Sequence, residues 1–306
     1  MKLSVVVLTY NQENTIGRAL DSILSQEHPY SMEIIVADDA SNDRTPEIVS
    51  EYANKFPDII KPILRKQNLG LIGNYFDTIS RCSGEYIAGC AGDDYWLPNK
   101  IDTQISYLDS HPDCMLTYSD ALIFNQSKEE FDGELKGNEN NSFQKLIICN
   151  HIPAVTICFR NTAIQKYITA IKPHKRNWMM EDYPFILWVA LTSTIKYIPL
   201  ATAVYQLNES SISQSSNYIR RLNFEQSVLH IRKYFLKLSG NNKGVFTINK
   251  SLISNYLKLA ALDKNFHYPG RIHPKYLLGR ISQSIKIICL ILAPHLTMKY
   301  LLKKQS

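Results

Sequence analysis

The sequence has no G-x-G-x-x-G turn and no G-x-x-x-x-G-K-[ST] loop. The turn after its first strand-like run reads TYNQENT, without a glycine. That excludes a dinucleotide fingerprint and a P-loop, so a phosphate bound here must be neutralised by another device. The six cysteines, at 82, 90, 114, 149, 158 and 289, form no C-x-x-C pair and no metal-site spacing. They read as reduced packing residues of a cytosolic protein. No stretch reaches the ~20 apolar residues of a membrane span. The nearest, IKIICLILAPHL at 285–296, is broken by Lys286 and Pro294. The opening MKLSVVVLTYNQ has a short apolar run and no small-residue cleavage site, so it reads as strand and turn, not as a signal peptide. Acidic residues are missing after Asp263, while lysine and arginine continue to Lys304.

What is present suits one large α/β domain with an appendage. The chain has 306 residues, 45% of them hydrophobic and 20% charged, with a net charge of +6; these are ordinary globular values. Short β-branched runs alternate with helical spacing. LSVVVLTY (3–10) reads as a strand buried on both faces, and MEIIVADD (32–39), IKPILRK (60–66) and EYIAGCA (85–91) read as a second, third and fourth strand. Residues 13–26, 44–56 and 70–82 between them read as helices. This order predicts a doubly wound, mostly parallel sheet. A helix over 99–112, a strand over 114–125, a strand over 155–161, a helix over 184–193 and a strand over 194–207 follow. Residues 126–142 read as a mobile loop, and from about 217 the pattern turns helical and basic.

Ligands of such sheets bind outside the carboxyl ends of the strands. Thr9–Asn11, Asp38–Asp39 and Asp93–Asp94 all fall at such ends. Each group also has an ordinary explanation. CAGDDYW (90–96) suits a surface turn. ADDASND suits an N-cap cluster. Tyr10 suits packing as well as base stacking, and Glu13 suits a first helical turn. With no glycine-rich cradle, a divalent cation held by Asp94 fits an anionic ligand, and oxygen donors select Mg²⁺ or Mn²⁺.

SVVVLTYNQENTIGRALDSILSQ, EIIVADDASNDRT, NLGLIGNYFDTISRCSGEYIAGCAGDDYWLPNKI and MMEDYPFILWVAL resemble successive motifs of the family 2 glycosyltransferases. Members of that family are inverting, nucleotide-sugar-dependent enzymes of the GT-A fold. The resemblance runs in order over roughly residues 3–213. It implies that Thr9, Tyr10, Asn11 and Glu13 line a nucleoside pocket. Asp38 and Asp39 would flank the base, with Asp39 reading a uracil imide. Asp93 would touch ribose or sugar, and Asp94 would hold the metal on the diphosphate. Asp182 of MED would be the catalytic base, although Glu181–Asp182 is also an ordinary helix start. Two departures stand out. Ala91 takes the place of the first aspartate of the commoner D-x-D-D form. Gln206 and Asn208 stand where many relatives carry Arg and His.

The resemblance implies a catalytic domain over 1–216, with a nucleotide-sugar half at about 1–98 and an acceptor half at about 99–216. A basic helical extension fills 217–306. The expected partners are a nucleotide-sugar donor, taken as a UDP-sugar, and a saccharide or lipid-linked saccharide acceptor of bacterial-type surface polysaccharide. The basic C-terminus reads either as a peripheral contact with the inner face of the plasma membrane or as a helical cap. Nothing resembles a nucleic-acid platform. A nucleotidyltransferase making the nucleotide sugar is the alternative enzyme, and a non-catalytic nucleotide-sugar-binding scaffold is the alternative outside catalysis. Release of pyrophosphate would mark the former, and binding without turnover the latter.

Overall fold

The computed structural model describes residues 1–207 and 218–240. Asn208 and the basic segment 271–306 lie outside the described residues. The chain divides into two compact units, Met1–Glu209 and Ser210–Ser306. In the second, the described part is helix α8 (Tyr218–Leu238), which buries Ile231, Phe235 and Leu236. Among the described residues no helix is long and apolar enough to cross a membrane.

The first unit is built on a nine-stranded sheet of order β3-β2-β1-β4-β8-β6-β9-β5, with β7 added on β6. Four strands run parallel: β1 (Leu3–Thr9), β2 (Met32–Asp38), β3 (Ile60–Leu64) and β4 (Tyr86–Ala91). Helices α1 (Ile16–Leu24), α2 (Thr45–Lys55) and α3 (Gly70–Ile79) connect them. Alone, a nine-residue helix such as α1 is marginal. It holds because Ile16, Ala19, Leu20 and Ile23 recur at helical spacing and are buried; each large side chain contributes about 2 kcal/mol.

The other half is mixed. Strand β5 (Tyr95–Trp96) leads to α4 (Lys100–Ser110) and the long β6 (Cys114–Asn125). The short α5 spans Phe143–Leu146. Strand β8 (Cys158–Arg160) runs antiparallel to both β4 and β6, so β6 points the same way as β4. Helices α6 (Asn161–Ile171) and α7 (Asp182–Thr192) precede β9 (Thr194–Leu207), which is parallel to β6. The stretch 126–142 is not the mobile loop its composition suggests: it contains β7 (Glu130–Leu135), paired antiparallel with β6. Five of its six residues are exposed, so backbone pairing and not burial makes the strand.

The rim opposite the strand ends is closed by a buried acid. Glu33 is fully buried and accepts hydrogen bonds from Ser4 Oγ (2.6 Å), Ser83 N (2.8 Å) and Ser83 Oγ (2.7 Å), with Lys61 beside it. Burial raises its pKa, but the Lys61, Ser4 and Ser83 bonds outweigh that and hold it near 2. A folded value below the unfolded one stabilises above the unfolded pKa and is lost as pH falls. Glu33→Gln should therefore cost about 1–3 kcal/mol at pH 7. The gap to the native protein should narrow as pH falls from ~4.5 toward ~2. Urea unfolding at pH 7 and pH 3 measures it; a gap independent of pH would refute the assignment.

Candidate functional site

Register places the chemistry. Thr9 pairs with Asp38 across β1 and β2, and Leu8 with Ala91 across β1 and β4. Three consecutive strands thus deliver Thr9, Asp38–Asp39 and Asp93–Asp94 to one edge of the sheet.

The first two loops are stitched together by side chains. Asn11 N donates to Ser41 Oγ (2.8 Å), and Asn42 N donates to Asn11 Oδ1 (2.9 Å). Gln12 N donates to Thr45 Oγ1 (2.8 Å). Glu13 N donates to Asp43 Oδ2 (3.0 Å), and Arg44 N to Glu13 Oε2 (2.9 Å). Asn11 and Ala40 adopt φ of 53° and 63°. Asn tolerates that region; Ala pays about 1 kcal/mol for it. Asp38 is 1% exposed, and its carboxylate accepts from both Ser41 N (3.0 Å) and Ser41 Oγ. Asn11, Glu13 and Asp38 therefore hold these loops in shape. Tyr10, at 46% exposure, stands open at the same edge.

Asp39 differs from its neighbour. Its Oδ1 accepts from Leu69 N (2.8 Å) and lies 3.9 Å from Arg65 Nε. Its Oδ2 carries no hydrogen bond among the described residues. Arg65 is held in turn by Asn74 Oδ1 (2.8 Å) and Asp77 Oδ2 (2.7 Å). Asn68 Nδ2 donates to Asp39 O (2.9 Å) and completes the wall. Arg65, Asn68 and Leu69 were not singled out in the sequence; a backbone donor such as Leu69 N leaves no trace in residue type.

Asp94 is 6% exposed, and its Oδ1 accepts from Gln206 N (2.8 Å) on β9. Burial, with Asp93 next, pushes its carboxyl well above the ordinary range; Gln206 N and Arg18 oppose this. Gly92 packs against Thr9 and Gln12: a Cβ there would stand 2.4 Å from Gln12 Oε1 and 2.8 Å from Thr9 Oγ1. Thr9 Oγ1 and Gln12 Oε1 are buried without hydrogen bonds. The glycine in CAGDD is thus a close-approach position that lets the aspartate turn sit on the end of β1.

Asp182 begins α7. Ser193 alone separates α7 from β9, which starts opposite Cys114 at the lower end of β6. The chain reverses there, so α7 runs back against β9 and its first residue lies toward the carboxyl edge, on the side where Asp94 sits. Glu181 and Asp182 are half-buried. Both carboxyl groups are pushed above their ordinary values, by burial first, and Glu181 further by Asp182's charge. Tyr75 of α3 feels both carboxylates, and its hydroxyl is driven well up, mainly by burial. Trp178 is buried under the Arg176 guanidinium, 5.1 Å from its ring, and belongs to the core.

A divalent cation fits this donor set in one way. Among the described residues no three His, Cys, Asp or Glu side chains cluster, and Ala91 offers no donor. Asp94 has one oxygen left after Gln206 N, so the remaining ligands would be phosphate oxygens and water, the usual arrangement for Mg²⁺ on a nucleotide.

Comparisons agree with this architecture. The model of the family described as Glycosyl transferase family 2 matches residues 4–168. An uncharacterized protein of Mycobacterium tuberculosis is 34% identical over 222 residues, 72% of this chain; the chain spans 62% of that relative's length. The Escherichia coli UDP-Glc:alpha-D-GlcNAc-diphosphoundecaprenol beta-1,3-glucosyltransferase WfgD is 27% identical over 229 residues, 74% of this chain and 85% of its own. The mannosyltransferase PcManGT of Pyrobaculum calidifontis, solved with GDP-Man and Mn2+, superposes with a TM-score of 0.55 at 14% identity, over 98% of this chain and 85% of its own. The fold is GT-A, a mixed sheet flanked by helices, and the chain belongs to glycosyltransferase family 2.

Proposed function

We propose that the protein transfers a sugar from a UDP-sugar to a hydroxyl of a saccharide or lipid-linked oligosaccharide, with inversion, in surface polysaccharide synthesis. The observation that supports it is the gathering of Asp39, Asp93–Asp94 and Asp182 toward one edge of the sheet. Tyr10 stacks on the base, and Asp39 Oδ2 accepts the imide N–H of uracil. Thr9, Asn11, Glu13 and Asp38 shape the pocket from behind. Asp93 meets the ribose or sugar, and Asp94 holds Mn²⁺ or Mg²⁺ together with the diphosphate. When bound, such a cation supplies neutralisation of the leaving diphosphate. The catalytic domain ends near 216. The WfgD name, which specifies a diphosphoundecaprenol acceptor, supports the lipid-linked class.

Asp182 is the base. The acceptor hydroxyl oxygen attacks the anomeric carbon from the face opposite the diphosphate. The bond from that carbon to the phosphate oxygen breaks, with its electron pair leaving on the diphosphate. The hydroxyl proton passes to Asp182. Its raised pKa makes it a stronger base than an exposed aspartate, at the cost of being protonated at moderately low pH.

Three outcomes test this reading. UDP with Mn²⁺ should raise the melting temperature, and Asp94→Ala should remove the metal-dependent part; no shift with any nucleotide would sink it. Asp182→Asn should leave that shift intact and lower transfer ~100-fold or more. Because a base works only when deprotonated, native kcat/KM should fall with decreasing pH along a limb centred above the ~4 of an ordinary aspartate. A limb at ~4, or an active Asp182→Asn, would place the base elsewhere. Finally, the basic segment 271–306 supports attachment to the inner leaflet. Deleting it should weaken co-sedimentation with phosphatidylglycerol vesicles, and unchanged binding would favour the helical cap.

A further inference from the structure

Arg18 stands beside the aspartate pair, stacked on an aromatic ring. It projects from the second residue position after the start of α1 and is exposed. Its guanidinium carbon lies 4.6 Å from the centroid of the Tyr95 ring. Tyr95 directly follows Asp93–Asp94, and its backbone is fixed by pairing with Val204 on β9. Among the described residues Arg18 has no ion pair and no hydrogen bond. It is also the one cation within α1, β4, β5 and the turn 92–94, among the described residues. Of the other cations near the site, Arg65 is committed to Asn74 and Asp77, and Lys100, fully buried, to Gln104 Oε1 (2.7 Å) and Thr156 O (2.8 Å).

Charge makes this arrangement informative. Two adjacent carboxylates and a diphosphate outnumber the charge of one divalent cation, and a site with a single carboxylate ligand holds that cation weakly. A second positive group is needed where the phosphates lie. A guanidinium laid on an aromatic ring keeps its N–H edge outward in the fork that matches two phosphate oxygens. The ring also removes part of the side chain's rotamer freedom before the ligand arrives, so less entropy is lost on binding. Arg18 is also close enough to Asp94 for its charge to act on that carboxyl group.

We propose that Arg18, held on the Tyr95 ring, contacts the diphosphate of the nucleotide-sugar donor beside Asp94. The assignment rests on the donor reading above and adds to it the residue that reads the anionic part of the donor. It predicts a split between the nucleotide and its nucleoside. Calorimetric titration of the full chain with UDP and with uridine, both with Mg²⁺, at low and high salt, is the test. Arg18→Ala and Arg18→Gln should each weaken UDP about 10-fold or more and flatten its salt dependence. Both should leave uridine within about twofold of native. Arg18→Lys should retain part of the UDP affinity, and Tyr95→Leu should lose part of it with the arginine intact. Unchanged UDP affinity in Arg18→Ala would overturn the proposal, as would equal losses of UDP and uridine. A native protein that binds uridine and UDP equally would also overturn it. A native protein that binds neither would overturn the donor reading itself.

Discussion

The hydrogen bond from Gln206 N to Asp94 Oδ1 is the joint on which the site depends. A carboxylate that is 6% exposed cannot be left to the hydrophobic effect, because desolvation disfavours its charged form and its neighbour Asp93 disfavours it further. One backbone donor fixes its orientation and leaves its second oxygen for a ligand. That donor comes from β9, 112 residues further along the chain. The aspartate turn therefore takes this shape only when β9 has folded against β5 and β6. Binding geometry and long-range folding are the same contact.

A buried polar chain makes that dependence mutual. Lys100 and Gln104 of α4 both donate to Thr156 O, at 2.8 Å each. Thr156 Oγ1 accepts from Ser119 N on β6 (3.2 Å), and Ser119 Oγ meets Thr202 Oγ1 on β9 at 2.6 Å. Thr202 O then accepts Leu97 N (2.9 Å), just past β5. The circuit starts and ends within a few residues of Asp94. Burial pulls the Lys100 ammonium down to about 8, a cost offset by its bonds to Gln104 Oε1 and Thr156 O, the first of which has no other hydrogen bond among the described residues. An apolar replacement of the whole set could match it in stability, but it would lose the directional bonds that hold β5, β6 and β9 in one register.

The legible part of the fold was the part governed by periodicity. The β-branched runs and the helical spacing in residues 3–91 map onto β1 to β4 and α1 to α3 within a few residues, because β1, β2 and β4 are largely buried on both faces; β3, at the sheet edge, exposes Lys61, Pro62 and Leu64. The mixed half was harder. Strand β8 is three residues long, and its reversed direction follows from where α6 must start, not from its own composition. The periodicity of α6 was present in Ala163, Ile164, Tyr167 and Ile171 and went unread. Strand β7 has no apolar face to read. In the site, the aspartates were visible as residue types at strand ends. Their division of labour was not, since Asp38 and Asp39 are indistinguishable until Ser41 N and Leu69 N choose between them.

That division shows how a rim dense in carboxylates can be stable. Asp38 accepts a backbone N–H of its own loop, and Asp43 and Glu13 each accept one from the facing loop, so their charge is spent on closing and joining turns. Asp39 and Asp94 each accept one backbone N–H and retain one oxygen. The structural acids are met by donors from the same or the facing loop, a few residues or one strand away. The acids with an open oxygen are met from other elements: Asp39 by Leu69 N, 30 residues on, and Asp94 by Gln206 N, 112 residues on. Of the two, only Asp94 depends on a contact far along the chain, so its orientation is set by the packing of β9 and not by its own turn.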